Sequence, residues 1–581
     1  MKYSDKPWVK HYDEGIAASL APYPNKPVYA LLEETAHKSP NQVACFFAPR
    51  RLGPIGRPGN TLTYAQLNDL SDRLAAALAA MGVKKGDRVA IVFPNIPQFV
   101  ISFFGILKAG AVVVAMNPTY PPAKWEEQLN DCGSEVVITM SRYYEGVNSI
   151  RKTTPVKKII LSSVKEYFPG LIKTLYGLGG EKRAGDKVEA LASPDDMWLQ
   201  DALASYSSSQ RPKIDLDPTK DTAIFQYTGG TTGVPKAARA PHLALVANAI
   251  QLGAWLPKGQ EHLDEKFLAA IPFFHVYGMV AVMINAVNLG ASMVFVPNAR
   301  DIVDLLDNIH SFRPTLFMGV PALYNAINQH PSIKEGKYSL ASIRACISGS
   351  APLAPEVKRR FEELSGGKVM EGFGMSEAPT ATHCNPLNGV NKVGSIGLPF
   401  PDVECKIISL DDGKTEMEVG EIGELVMRGP AMMTGYHNMP TETANMLRDG
   451  WLYTGDIARM DEEGYFFIVD RKKDMALIGG FNVYPANVEK TLMQHEAVGD
   501  VGVAAVPHPE KAGQEALKAW VVKAAGKEIT EKDLIAYCEG KLAPYEIPRR
   551  IEFVTELPKT TVGKILRRDL VKMEVEMREK K

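Results

Sequence analysis

Cysteine is scarce in this chain. Its six cysteines (positions 45, 132, 346, 384, 405 and 538, out of 581 residues) form no CxxC pair and no zinc-ligand spacing. That argues against a disulfide scaffold or a structural zinc site and predicts a reducing, cytoplasmic setting. An excess of one charge is missing too: 66 Lys+Arg against 67 Asp+Glu leave a formal charge of −1. A polybasic nucleic-acid binder and an acidic solvated tail are thereby excluded as global readings, and no nucleic acid is expected as a partner. Nor is there an uninterrupted apolar run long enough for a bilayer. Phe267–Ala299 contains no Asp, Glu, Lys or Arg, but Pro272, His275, Gly278, Asn285, Asn288 and Gly290 break it up. It reads as a strand (268–271), a loop, a helix (277–289) and a second strand (292–296). Such a helix spans only about 20 Å, short of a hydrocarbon core of about 30 Å. The opening MKYSDKPWVKHYDEG lacks the apolar stretch of a secretory signal. No repeat of 20–50 residues and no low-complexity tract is found.

What is present is an ordinary globular composition, 45% hydrophobic and 23% charged, long enough for several domains. Thr63 and Gln66 have capping-box spacing, and Leu67, Leu70, Leu74, Leu78 and Met81 follow at helical intervals. Gly82 offers a stop, 89–93 reads as a buried strand, 98–108 as a helix and 111–115 as another strand. Helices alternating with short Val/Ile-rich strands predict an α/β fold with parallel sheets covered by helices. A boundary is predicted near Asp470-Arg-Lys-Lys-Asp474, between a glycine-rich, short-stranded stretch (393–469) and about a hundred residues with fewer elements. Charges at such a junction are usually a solvated turn; here they also suit a hinge, because they can pair differently in two domain orientations. Residues 167–180, flanked by lysines and Arg183, read first as a surface loop packing a few large side chains. The alternative is peripheral membrane contact through 165–180, apolar tips ringed by cations suiting an anionic interface.

The strongest local signal is Tyr227-Thr-Gly-Gly-Thr-Thr-Gly-Val-Pro-Lys236. Three glycines let backbone approach a phosphate chain, threonine hydroxyls and amides donate to it, and Lys236 supplies a cation. It departs from the Walker pattern, because Val234 and Pro235 separate Gly233 from Lys236. A second signal is Glu371-Gly-Phe-Gly-Met-Ser-Glu377, where Gly372 and Gly374 allow a flat ring against the backbone and Phe373 offers a stacking face. Asp456 in Trp451-Leu-Tyr-Thr-Gly-Asp, Arg471, and Lys564 in Pro-Lys-Thr-Thr-Val-Gly-Lys would each, alone, be a turn carboxylate, a strand-end cation and a solvated lysine of a basic helix. His275, in Pro-Phe-Phe-His-Val-Tyr-Gly, is by default a satisfied core histidine.

In this order these motifs resemble the adenylate-forming superfamily, over nearly the whole chain from Leu62 to Lys564, and within it the bacterial-type long-chain fatty acyl-CoA synthetases. The resemblance implies a large N-terminal domain (1–470) of two helix-covered sheets and a distorted β-barrel, a hinge (471–474) pivoting at Lys473, and a small mobile C-terminal α/β domain (475–581). It implies a fatty acid–CoA ligase acting through an acyl-adenylate, with Mg²⁺ as cofactor and the carboxylic acid, ATP and coenzyme A as partners. ATP is expected at Thr228, Gly229, Gly230, Thr231, Thr232, Gly233 and Lys236, beside Gly349, Ser350 and Ala351. Further nucleotide contacts are expected from Glu371, Gly372, Phe373, Gly374, Met375 and Ser376, and from Asp456, Arg471 and Lys564. Thr232 and Glu377 are the implied metal ligands. Lys564 is implied at the carboxylate and α-phosphate, His275 as a gate or orienter, and Gly479, Gly480 and Phe481 along the pantetheine of CoA. Two departures stand out: Ala237 follows Lys236 where glycine is commoner, and Ala476-Leu-Ile replaces a segment that usually ends in serine. Long-chain acids are expected first. Medium-chain or aryl acids, a stand-alone loader of a carrier protein, and a non-catalytic nucleotide or lipid binder are the alternatives. Oligomeric state is not fixed by the sequence, a homodimer being one option.

Overall fold

A computed structural model of the chain describes residues 2–49, 57–228, 235–256, 264–478, 481–508, 515–560 and 563–579. Two large sheets dominate. One runs in the order Gly435–Tyr436, Lys236–Pro241, Thr222–Thr228, Val112–Ala115, Arg88–Val92, Val136–Met140, Lys158–Ser162 and Met197–Trp198. The other runs Leu398–Pro399, Ala378–Cys384, Lys368–Met375, Ala345–Ser348, Leu316–Gly319, Lys266–Ala269, Ser292–Phe295, Val43–Phe47 and Asn60–Thr63. Their centres are parallel, as buried Val/Ile strands linked by helices require. The first sheet is antiparallel at its Gly435–Tyr436 end and parallel out to its Met197–Trp198 edge, and the second is antiparallel at both ends.

The helix Tyr64–Ala80 starts where the capping box predicts: Gln66 N–H donates to Thr63 Oγ1 at 3.2 Å and Thr63 N–H to Gln66 Oε1 at 2.9 Å. The next helix, Pro97–Lys108, has every residue buried. It lies in the continuous core that joins both sheets. Even Lys108 is enclosed there. Its ammonium meets Asp72 at 2.8 Å and donates to Ser71 Oγ at 2.8 Å and Asn68 Oδ1 at 2.7 Å. Burial still pulls its pKa down to about 8, because losing water outweighs one carboxylate neighbour. Asn95 stitches one sheet to the other, donating to the carbonyls of Ala269 (2.9 Å) and Ile271 (2.8 Å) and accepting from Phe273 N–H (2.8 Å).

The uncharged run 267–299 folds as expected, into strands Lys266–Ala269 and Ser292–Phe295 around a buried helix. The first two turns of that helix, Tyr277–Ile284, are wound as a π-helix, a geometry that gathers at functional sites. Gly278 permits the entry: a Cβ there would stand 2.3 Å from the Pro272 carbonyl oxygen. No helix among the described residues is long and apolar enough to cross a membrane.

Strands Glu404–Ile408, Gly423–Arg428, Leu447–Arg448, Trp451–Met460 and Phe466–Arg471 form a third, antiparallel sheet. Beyond Arg471 lies a separate small core. It holds the hairpin Ala476–Ile478/Phe481–Val483 and the sheet Val498–Pro507, Glu515–Lys523, Arg550–Phe553. The helix Glu531–Cys538 opens on the Thr530 capping box, and Gly540 turns the chain beyond it at φ +74. The final helix opens at Arg567, so Lys564 does not lie in a basic helix. It sits in the tight turn before one, where Gly563 has φ +82 and Lys564 N–H donates to Thr560 Oγ1 at 3.0 Å.

Candidate active site

The nucleotide-type motifs converge at one edge of the large domain, under the small one. Thr228 and Lys236 are cross-strand partners in an antiparallel pair; Gly229, Gly230, Thr231, Thr232 and Gly233 lie outside the described residues. Lys236 pairs with Glu442 and lies 5.7 Å from the Tyr436 ring. Tyr436 in turn donates from Oη to Glu377 Oε1 at 2.7 Å. Glu377 is placed by a two-residue turn, since Met375 pairs with Ala378. Only glycine fits at 374 in that hairpin, where a Cβ would fall 1.5 Å from the Thr380 carbonyl oxygen. Phe373 sits half-buried on the adjoining strand, edge-on to His383 at 5.8 Å. Gly372, Met375 and Ser376 flank it.

Ser350 occupies the left-handed region at φ 70, a conformation costly for a side-chain-bearing residue and frequent at binding loops. The loop it belongs to, Gly349-Ser350-Ala351, is held from behind by Glu371. One carboxylate oxygen accepts from Leu353 N–H (3.2 Å) and the other from Gly394 N–H (3.0 Å). The side chain of Glu371 thus fixes the shape of this wall, and burial raises its pKa.

Asp456 and Arg471 face each other across neighbouring antiparallel strands, and Arg471 Nε meets Asp456 Oδ1 at 2.5 Å. Asp456 is 1% exposed, yet its Oδ2 has no hydrogen-bond partner. Burial raises its pKa despite the nearby charges of Arg471 and Lys564. A buried, unpartnered carboxylate oxygen in a cleft is an acceptor awaiting a donor. The hydroxyls of a ribose fit that need.

Lys564 approaches the same place from the small domain. Its turn rests on the large domain, a Cβ at Gly563 reaching 3.7 Å from that of Ala322. Lys564 is exposed, although Arg471, Asp456 and Lys473 lie close enough to act on its charge. Desolvation first, then the charge of Arg471, bring its pKa down to about 8. His275 lies near enough to sense it: desolvation and then the Lys564 charge depress His275 to about 4. Its Nδ1 accepts from Tyr277 N–H at 3.2 Å, so the neutral ring carries its proton on Nε2. The segment before it, Ile271–Phe273, is the one that Asn95 grips.

At the junction, Lys473 is exposed, and the crowding of its surroundings lowers its pKa, chiefly by desolvation. Lys472 pairs with Glu424 at 2.9 Å. Arg567 draws together Asp474 (2.9 Å), Glu489 (2.6 Å) and Asp470 (3.3 Å). On the small domain Phe481 stacks on Tyr545, ring centres 4.4 Å apart and planes within 5°. Both rings are exposed; Leu477, also exposed, pairs with Asn482 on the other face of the hairpin. Gly479 and Gly480 lie outside the described residues.

The AMP-binding enzyme model matches residues 32–437, and the AMP-binding enzyme C-terminal domain matches 487–564. The chain belongs to the AMP-binding enzyme family. A long-chain-fatty-acid–CoA ligase of Bacillus subtilis (strain 168) is 40% identical over 577 residues, 99% of each chain. Among solved structures, ATP-bound MatB from Rhodopseudomonas palustris superposes with a TM-score of 0.80 at 27% identity, covering 95% of this chain and 100% of MatB. The anthranilate CoA ligase AuaEII in complex with anthranoyl-AMP gives 0.79 at 26%, covering 99% and 100%. The expected α/β architecture and family are therefore those the chain has.

Several site residues escaped the sequence reading: Asn95, Tyr436, Glu442, Arg567 and Tyr545. Each acts through a partner far along the chain. No local pattern announces them.

Proposed function

We propose that this AMP-binding enzyme is an ATP-dependent acid–CoA ligase whose preferred acids are long-chain fatty acids. The observation that carries the reading is the meeting of Asp456, Arg471, His275 and Lys564 in one cleft between the two domains. In the first step a carboxylate oxygen attacks the α-phosphorus of ATP and pyrophosphate departs, leaving an acyl-adenylate. Asp456 Oδ2 accepts from the ribose, Arg471 holds Asp456 and donates beside it, and Lys564 sets a desolvated cation against the charge building at phosphorus. His275 stays neutral over the physiological range, so it orients the acid through Nε2–H without adding charge.

Mg²⁺ fits the buried Glu377 carboxylate, together with Thr232 outside the described residues, because this hard ion takes few protein oxygens and leaves the rest to phosphate and water. When bound, the ion screens the phosphate charge.

In the second step the small domain turns about Lys473. Lys564 leaves, and the Phe481 face, with Gly479 and Gly480, brings coenzyme A. The thiolate attacks the acyl carbon and AMP departs. The exposed Phe481–Tyr545 stack supports this, since it stands ready on the small domain while Lys564 faces the cleft.

The 40% identity to the Bacillus ligase favours long acyl chains over the aryl acids of the more distant structural neighbours. Such acids concentrate in bilayers, so an enzyme of this kind gains from lipid contact through residues 165–180. The test is a panel of acids from benzoate to stearate, with pyrophosphate release measured without CoA and AMP release with it. Strongest turnover on C14–C18 acids, with AMP release dependent on CoA, is expected. No acid-dependent pyrophosphate release from any member would overturn the reading.

A further inference from the structure

The segment after Phe168 is a continuous helical stretch: Gly170–Leu175, a π-wound turn Tyr176–Gly180, and Glu181–Ala184. Its inner side is firmly seated. Phe168 stacks on Phe47 at 5.7 Å, Tyr176 meets Phe168 edge-on at 5.4 Å, and Ile172 packs on the main core. Its outer side is apolar. Leu171 is 75% exposed, Leu175 58% and Leu178 80%. Leu178 and Leu171 are the two most exposed large apolar side chains among the described residues. Steps of four and three set these leucines on one helical side, and a single seated element presenting them together is unlike apolar residues scattered singly.

Charge is sorted in the same way. Each carboxylate of the segment is turned inward. Glu166 accepts from Ser163 N–H (3.1 Å) and Gln200 (3.2 Å). Glu181 pairs with Lys165 at 2.6 Å and accepts from Ser163 Oγ at 2.8 Å. Asp186 pairs with Arg142 at 2.7 Å and accepts from Tyr176 Oη. The charged side chains left exposed from 166 to 186 are Lys173, Lys182 and Arg183, all cations. The helix runs only about 20 Å at 1.5 Å per residue, so it can lie in an interface and not cross one.

We propose that this helix is the docking surface of the enzyme for an anionic lipid bilayer, with Leu171, Leu175 and Leu178 entering the headgroup–acyl boundary and Lys173, Lys182 and Arg183 on lipid phosphates. Apolar side chains flanked by cations, with no outward carboxylate, complement such a surface in both polarity and charge. The surface needs no nucleotide chemistry. Its benefit to a ligase of fatty acids rests on the reading above, but its existence does not.

The experiment is sedimentation of the full chain with vesicles, without ATP, acid or CoA, so that vesicle binding and ligase activity fail separately. The protein is expected to pellet with phosphatidylglycerol vesicles, less with phosphatidylcholine vesicles, and less in high salt. Replacing Lys173, Lys182 and Arg183 by Gln should weaken partitioning about a hundredfold. Leu171→Ser, Leu175→Ser and Leu178→Ser together should weaken it at least tenfold. Thermal melting confirms that the variants fold. Wild-type protein staying in the supernatant with phosphatidylglycerol, or the leucine variant pelleting as well as wild type, would overturn the proposal. So would self-association through these leucines, seen by analytical ultracentrifugation in place of vesicle binding.

Discussion

Arg567 reaches Asp470 across the domain junction, Nη1 to Oδ1 at 3.3 Å. The other carboxylates it binds, Asp474 and Glu489, lie on its own side of Lys473, whereas Asp470 lies in the large domain's last strand, Phe466–Arg471. Asp470 also accepts from Ala486 N–H at 2.8 Å. A turn about Lys473 must break both of these contacts and can leave the other two intact.

Asp470 should therefore hold the orientation in which Lys564 faces the cleft. In Asp470→Asn the charge is gone, and acid-dependent pyrophosphate release should fall about tenfold. Conversion of supplied acyl-adenylate to thioester should hold or rise. Measuring both half-reactions separately checks it, and an equal fall in both would count against the latch.

Lys564→Ala should lose about 10²–10³ in pyrophosphate release and still turn acyl-adenylate into thioester. Its pH dependence follows from the depressed pKa. Below about 8 the amine of the free enzyme is charged, and above it the charge is lost, so kcat/KM of the first half-reaction should decline as pH rises through 8. Lys564→Arg should remove that decline up to pH ~10, because guanidinium stays protonated.

Asp456→Ala removes the unpartnered Oδ2 and strands Arg471. The Kd for ATP, followed by calorimetry, should rise about 10–100-fold, the scale of one or two hydrogen bonds to a charged acceptor.

Gly374→Ala forces a Cβ to 1.5 Å from the Thr380 carbonyl. The hairpin must part, and a loss above ~4 kcal/mol in denaturant titration is expected.

His242 and His383 are buried and neutral, desolvation holding them down to about 4 and about 3. An unfolded histidine titrates near 6.5, so between that pH and the folded values the unfolded chain binds more protons and gains on the folded one. The contribution of these histidines should be flat above pH ~6.5 and fall by roughly 3 kcal/mol per histidine on the way to pH 4. In His383→Gln that slope should be shallower, as read from melting temperature against pH.

Chemistry carried by consecutive residues was legible in the sequence. The capping box at Thr63–Gln66 and the strand-helix alternation both depend on neighbours. Legibility failed where a side chain's meaning lies far away. Tyr436 means little until Glu377, 59 residues off, is beside it. Arg567 reads as one more cation until Asp470, 97 residues upstream, meets it. Lys564 reads from its motif as part of a helix, whereas a local turn at Gly563, closed by bonds from Gly563 N–H to the Thr560 carbonyl and from Lys564 N–H to Thr560 Oγ1, holds it short of one. The apolar segment 167–180 reads first as a surface loop on composition, with lipid contact as the alternative, and the inward turning of its carboxylates is invisible there because their partners lie at other positions.

The wholly enclosed helix Pro97–Lys108 has a thermodynamic consequence. A shared interior leaves neither large sheet a private boundary along which to detach, so heating should melt both as a single cooperative unit. The C-terminal lobe, with its own small interior, is free to give way at a different temperature.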